Sequence, residues 1–291
     1  MKKNRFLTFA VVATMFAACS NENIPADETK DTPITIASAG VAELTTRVIT
    51  DDKLVGITDG EPATMSVFIT GGSETKYNAT NAKWEHNGTS WDSETDVLFE
   101  GGNLAQKIYA CSPYTTVTDN NITVTATEQT DWLVATATDL TSSVVDLTMT
   151  HALTKLVLVP TLGTELTSQT ITSVEVGGMY ASGTLNVSDN SWNDLLEANT
   201  TLAMANNELL VIPMAQCTSF PIVITMSDGR KFKATIDCPV ISPEDAEEKV
   251  YGLAPGTQYN IKLQIGQDKV TLGVINAEPW VPSTGGVLET E

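Results

Sequence analysis

From residue 64 onward, apolar and polar side chains alternate in short runs that end at turn residues. Thr64–Thr70 stops at Gly71-Gly72, Gln106–Cys111 at Ser112-Pro113, Ile171–Val176 at Gly177-Gly178, and Pro221–Met226 at Ser227-Asp228-Gly229. Ile122–Thr127, Leu133–Ala137, Val144–Thr150, Lys155–Pro160, Leu209–Pro213, Lys231–Asp237 and Tyr259–Ile265 have the same make-up, rich in valine, isoleucine and threonine. β-Branched residues suit a pleated, half-buried surface, and a period of two puts alternate side chains on one face. Helical periodicity is nearly absent. Short strands at this spacing predict an all-β protein of sandwiches or barrels with very little helix.

The pattern also predicts registers. Asn87-Gly88 is a strong two-residue hairpin turn, and counting back from it pairs His86 with Thr89, Glu85 with Ser90 and Trp84 with Trp91. The two tryptophans then face each other, either as a sugar-stacking platform or as a lid on the core. In the hairpin from Phe220 to Cys238, a two-residue turn would put the apolar sets of the two strands on opposite faces. A three-residue loop, Ser227-Asp228-Gly229, brings them together by pairing Ile224 with Phe232. It also sets Cys238 opposite Thr218 and turns Cys217 away, which disfavours a Cys217–Cys238 bridge unless the register slips. Ser242-Pro243 followed by Glu244, Asp245, Glu247 and Glu248 predicts one or two helical turns. Near the end, Val270, Leu272 and Val274 alternate before Pro279-Trp280 breaks the strand.

The first residues follow a different rule. Lys2, Lys3 and Arg5 are followed by an uncharged stretch, Phe6–Ala18, and then by Cys19 and a polar, acidic segment. This is the layout of an export signal. Such a helix rises only ~20 Å, short of the ~30 Å of a hydrocarbon core. Phe16-Ala17-Ala18-Cys19 resembles a bacterial lipobox, in which the cysteine is acylated and becomes the new N-terminus. A plain secretory signal with an incidental Cys19 is the other reading.

The chain has 291 residues and a net charge of −20. So acidic a surface disfavours nucleic acid and other phosphate-rich partners. With Cys19 acylated, Cys111, Cys217 and Cys238 remain, an odd set that argues against a disulfide scaffold. Chemistry is sparse. The two histidines, His86 and His151, have no second histidine or cysteine at metal-ligand spacing. No G-x-S-x-G, P-loop or G-x-G-x-x-G motif occurs. Cys111 reads as a small buried residue at a strand end. No catalytic residue, metal or cofactor is expected, and the chain is not expected to be an enzyme. Arg47, flanked by Thr46 and Val48, is either an accessible site for an Arg-specific protease or a solvated strand residue.

Taken in order, these residues resemble the fimbrillin family, the subunits of lipoprotein-derived type V pili. The carriers are Ala17-Ala18-Cys19, Pro33-Ile34-Thr35-Ile36 with Thr46-Arg47-Val48, Ile108-Tyr109-Ala110 with Pro113-Tyr114, and Asp131–Ala135. Further on they are Leu147–Leu156, Val211-Ile212-Pro213, Leu253-Ala254-Pro255-Gly256 with Tyr259, and Pro279-Trp280. The resemblance implies two tandem, transthyretin-like β-sandwich domains. Residues 1–18 would be the lipoprotein signal, 19–47 a tether and removable first strand, 48–147 the N-terminal domain and 148–291 the C-terminal domain.

The implied mechanism starts from an outer-membrane lipoprotein lipidated at Cys19. A protease cuts between Arg47 and Val48, and the first strand leaves its groove. The C-terminal segment of a neighbouring subunit, about 270–291, then fills that groove through Val270, Leu272, Val274 and Trp280. Repetition head to tail builds a cell-surface fimbria that supports adhesion. The implied partners are other fimbrial subunits, the Arg-specific protease and surface receptors, whether host or bacterial. Shaft and minor-subunit roles both stay open. The alternative is a lipid-anchored outer-surface module that binds glycans on Trp84 and Trp91.

Overall fold

A computed structural model describes residues 31–41, 63–166, 168–196 and 198–280. The first ten strands are β1 (Thr32–Pro33), β2 (Thr35–Val41), β3 (Thr64–Thr70), β4 (Ala79–His86), β5 (Trp91–Ser93), β6 (Leu98–Phe99), β7 (Lys107–Ser112), β8 (Asn121–Thr125), β9 (Leu133–Asp139) and β10 (Val144–His151). The next ten are β11 (Thr154–Leu162), β12 (Ile171–Met179), β13 (Ser182–Asn186), β14 (Ser191–Asn193), β15 (Thr200–Ala203), β16 (Glu208–Val211), β17 (Ser219–Met226), β18 (Lys231–Asp237), β19 (Thr257–Ile265) and β20 (Val270–Pro279). Helix among the described residues is confined to single 3₁₀ turns such as Thr75–Tyr77. Every run picked out by its alternation contains a strand, and the protein is an all-β, sandwich-type fold.

The N-terminal half is built on a seven-stranded sheet ordered β2-β10-β9-β7-β3-β4-β5. Its central strands carry apolar side chains on both faces because each face covers a core. Met65, Val67 and Ile69 of β3 join Ile108, Ala110 and Leu133 in one cluster. Phe68, Tyr109, Cys111 and Val134 join the other, with Phe68 and Tyr109 stacked at 4.9 Å between ring centroids. The two edges, β2 and β5, approach each other, so the sheet curls around the first cluster.

The C-terminal half is a sandwich of two four-stranded sheets, β16-β11-β19-β20 and β15-β12-β17-β18. Tyr259, Ile261, Leu263 and Ile265 of β19 point into the cluster between them, while Lys262 and Gln264 face solvent. The change of sheet falls between β10 and β11, at Ala152-Leu153. The halves are also interlocked. β8 pairs antiparallel with β13, Thr125 opposite Ser182 and Asn121 opposite Asn186, and β14 completes that three-stranded sheet. The cluster around Phe68 and Tyr109 fills the seam and takes in Ile212, Leu185 and Trp280.

Candidate functional site

The first and last strands are the elements from which a strand-exchange function would be built. Both are sheet edges. β1 pairs with β6, Thr32 opposite Phe99 and Pro33 opposite Leu98. β2 then runs parallel to β10, from Thr35 opposite Val144 to Val41 opposite Met149, with a bulge at Val145/Asp146. Ile34 N donates to Val97 O at 2.9 Å, and Thr35 N donates to Ser143 O at 2.8 Å. Ile34, Ile36 and Ala39 are buried in the first core, and the Ser38 hydroxyl donates to Asp146. At the outer end, Lys76 Nζ lies 2.8 Å from Asp31 and the Tyr77 hydroxyl donates to the same carboxylate at 2.6 Å. Accepting from Lys76, the Asp31 carboxylate holds the lysine protonated well above the usual lysine range, and accepting from the Tyr77 hydroxyl it raises Tyr77 as well. The first strand thus lies in a slot between β10 and the β6 edge.

The last strand is held differently. β20 forms a hairpin with β19, from Ile265 opposite Val270 to Thr257 opposite Pro279. Val270 and Ile275 pack against the C-terminal core; the side chains of Leu272 and Val274 lie outside the described residues. Trp280 ends the strand and is only 6% exposed. Its ring stacks on His151, centroids 3.8 Å apart and planes 7° from parallel. His151 Nδ1 is 2.9 Å from Asp131 Oδ1. The other oxygen of Asp131, His151 Nε2 and Trp132 Nε1 find no hydrogen-bond partner among the described residues.

The motif residues scattered along the sequence meet at this point. Trp280 N donates to Gly256 O (3.2 Å), Gly256 N to Leu153 O (2.8 Å), and the Thr154 hydroxyl to Ala254 O (2.6 Å). Residues up to 149 positions apart therefore form one knot that ties the C-terminal end to the seam. Nothing in the local pattern announces the Asp131–His151–Trp280 contact, since alternation reports only which face a residue takes.

Several expectations are corrected. Trp91 pairs with His86, and Trp84 pairs with Ser93. The loop has four residues because the Asn87 side chain accepts from the backbone N–H of both Thr89 and Ser90, an Asx turn that replaces the two-residue one. Trp84 and Trp91 share a face but are diagonal neighbours, 4% and 5% exposed, with neither ring open to a sugar. Pro243–Ala246 is a single hydrogen-bonded turn. The Ser242 hydroxyl accepts from Val250 N instead of capping a helix.

In the second long hairpin the three-residue loop holds: Ile224 pairs with Phe232, Gly229 has φ +85°, and Cys238 N donates to Thr218 O. Cys217, however, is not turned away. It precedes β17 and donates its N–H to Tyr251 O, so strand alternation does not govern it, and its sulfur lies 2.6 Å from that of Cys238. Cys111 is buried, which pushes its thiol up to about 12. Cys19, Arg47 and Val48 lie outside the described residues. Among the described residues, no group of three or more His, Cys, Asp or Glu could hold a metal ion.

Comparison with known proteins gives a consistent picture. A family model described as fimbrillin-like matches residues 46–280, from beside Arg47 to Trp280. No curated protein matches the chain. Among solved structures, a candidate cell adhesion protein from Bacteroides ovatus aligns with TM-score 0.66 and 16% identity, over 87% of this chain and 99% of that one. A second, from Bacteroides uniformis, aligns with TM-score 0.61 and 18% identity, over 86% and 99%. A third, from Parabacteroides distasonis, gives 0.51 and 10%, over 88% and 99%. At these identities the structures speak to the fold alone.

Proposed function

The chain belongs to the fimbrillin-like family, and from that premise we propose that it is a structural subunit of a cell-surface fimbria that polymerises by strand exchange. On this reading it is exported as an outer-membrane lipoprotein acylated on Cys19. An Arg-specific protease cuts between Arg47 and Val48. Residues 48–147, together with the rest of β10 to His151, then form the accepting half, and the remainder to 291 the donating half.

The observation that carries the reading is the seating of the first strand. Thr32–Val41 lies in a slot with Ile34, Ile36 and Ala39 in the core, and its partner strand β10 is more than a hundred residues away in the chain. A cut behind Arg47 severs it from everything that follows. The emptied slot would present the backbone of β10 and an apolar floor, a template for an added strand. The two isoleucines are worth roughly 3–6 kcal/mol gross at ~1.5–3 kcal/mol each. The incoming segment, 270–291, carries the same alternation in Val270, Leu272 and Val274. In the folded subunit its first part is β20, so donation includes release of β20 from β19 and of Trp280 from His151. A head-to-tail contact of this kind does not close on itself and grows as a filament.

The test is to treat purified precursor with an Arg-specific protease and run it unheated on a denaturing gel. A ladder of oligomers is expected, with N-terminal sequence starting at Val48. A single trimmed monomer would overturn the reading. The glycan-binding alternative lacks an exposed aromatic pair at Trp84 and Trp91, and nothing else among the described residues favours it.

A further inference from the structure

The base of the β17–β18 hairpin brings two thiols together, and we propose that Cys217 and Cys238 form a disulfide in the mature protein. The pair is set up by the chain around it. Cys238 follows the last ladder residue of β18 and donates its N–H to Thr218 O. Cys217 stands just ahead of β17, held from the other side by its bond to Tyr251 O. Both side chains are buried in the same core and their sulfurs are in contact. Cys111, the other thiol among the described residues, belongs to the seam cluster and does not compete.

The electrostatics run the same way. The Cys238 S–H, hydrogen-bonded to the Cys217 sulfur, lowers the pKa of Cys217, and that bond raises Cys238. Closure removes two protons and two electrons. The acceptor is a second disulfide, that of an oxidising protein or of a small molecule, which leaves as two thiols. The Cys217 thiolate attacks it, one thiolate departs, and the Cys238 sulfur displaces the other from the mixed disulfide.

The link would tie down the end of β18, the outer strand of its sheet. An edge fixed at its end offers a poorer template for unwanted pairing, which matters in a protein whose proposed work is strand exchange. Persistence of the bond rests on the surface location in that reading, since exported proteins keep disulfides and cytosolic ones are reduced.

The experiment is peptide mapping of protein taken from the cell surface, alkylated with iodoacetamide in denaturant without reductant. Trypsin separates Cys217, in peptide 156–230, from Cys238, in peptide 234–249. The two peptides are expected as one linked species that splits with dithiothreitol, while Cys111 carries the alkyl group. Separate peptides, each alkylated, would overturn the proposal. The same mapping on the full mature chain refolded in a glutathione redox buffer is expected to show the link wherever the protein resides. A missing link there counts against the geometry; a link there but not on cells counts against the location. Cys217→Ser and Cys238→Ser should each lower Tm by roughly 5–10 °C. The gap should vanish in dithiothreitol, and a wild-type Tm indifferent to reductant would also sink the idea.

Discussion

The first and last described strands are both edges, and they are held by different physics. β2 owes its place to non-local contacts: a parallel ladder with β10, two isoleucines and an alanine in the core, and a hydroxyl bond spanning 108 positions. Nothing local would hold it once the chain behind it is cut. β20 is the return arm of a hairpin, with its loop at Gly266–Lys269 and its far end clamped by Trp280 against His151. A hairpin partner stays at high effective concentration, so a cut elsewhere does not free it. The difference gives assembly a direction. On the proposed reading, proteolysis would empty the accepting slot in one irreversible step, whereas the donating arm would have to be lifted from its own subunit by exchange.

The largest effect that tests this contrast is all-or-none. Deleting residues 268–291 removes β20 and its anchor, and the oligomer ladder should disappear after cleavage. Deleting only 281–291 leaves Trp280 seated. A ladder that survives both deletions would end the idea that the C-terminal segment is the donor. Circular dichroism of each truncated precursor shows whether the fold persists. Next in size is Trp280→Ala, which should destabilise the precursor by about 3–5 kcal/mol in urea unfolding. It should also speed ladder formation, because the clamp opposing release is gone. A variant that is destabilised but assembles no faster would place the barrier somewhere other than the seam.

Ile36→Ala should cost the precursor about 2–4 kcal/mol through lost burial and the cavity left behind. The same substitution should cost nothing once the strand has been cut away and replaced by a neighbour's. Urea titration before and after protease treatment reads both values. A penalty that persists in the cleaved, assembled protein would mean that the first strand never leaves.

How much of this was legible depends on how local each feature is. The alternating runs from Thr64 to Ile265 were readable because half-buried strands write a period of two into the chain. The Ile224–Phe232 register was readable because only one loop length lets both apolar sets meet. Short strands such as β6 and β14, of two and three residues, are too short for a period to show. The Trp84–Trp91 register failed because a side chain, Asn87, took over the turn that backbone geometry alone would make. Cys217 escaped because it stands outside the ladder. The parallel partner of β2 and the meeting of Asp131, His151 and Trp280 are long-range facts that the sequence reading did not anticipate. Cys19, Arg47 and Val48, where the sequence leads one to expect lipidation and cleavage, lie outside the described residues.

The smallest expected effect concerns the outer end of the first strand. Asp31 and Lys76 are 48% and 41% exposed, so solvent and salt screen the pair. Its pH dependence has a definite sign. Asp31 raises the Lys76 pKa in the folded state, so the contribution is fully present below the unfolded lysine value of about 10.4. It is lost only as pH rises through the higher, folded value. Asp31→Asn should therefore lower the precursor's Tm slightly and by a constant amount between about pH 6 and pH 9. That difference should shrink in 1 M salt, at ~3 Å screening length, leaving only what the Tyr77 hydroxyl gains from the carboxylate. If Asp31→Asn cost as much as Ile36→Ala, the first strand would be held chiefly from its outer end. The two terminal strands would then be anchored alike, each by one terminal contact, and the proposed asymmetry between a strand freed by a cut and an arm freed by exchange would fail.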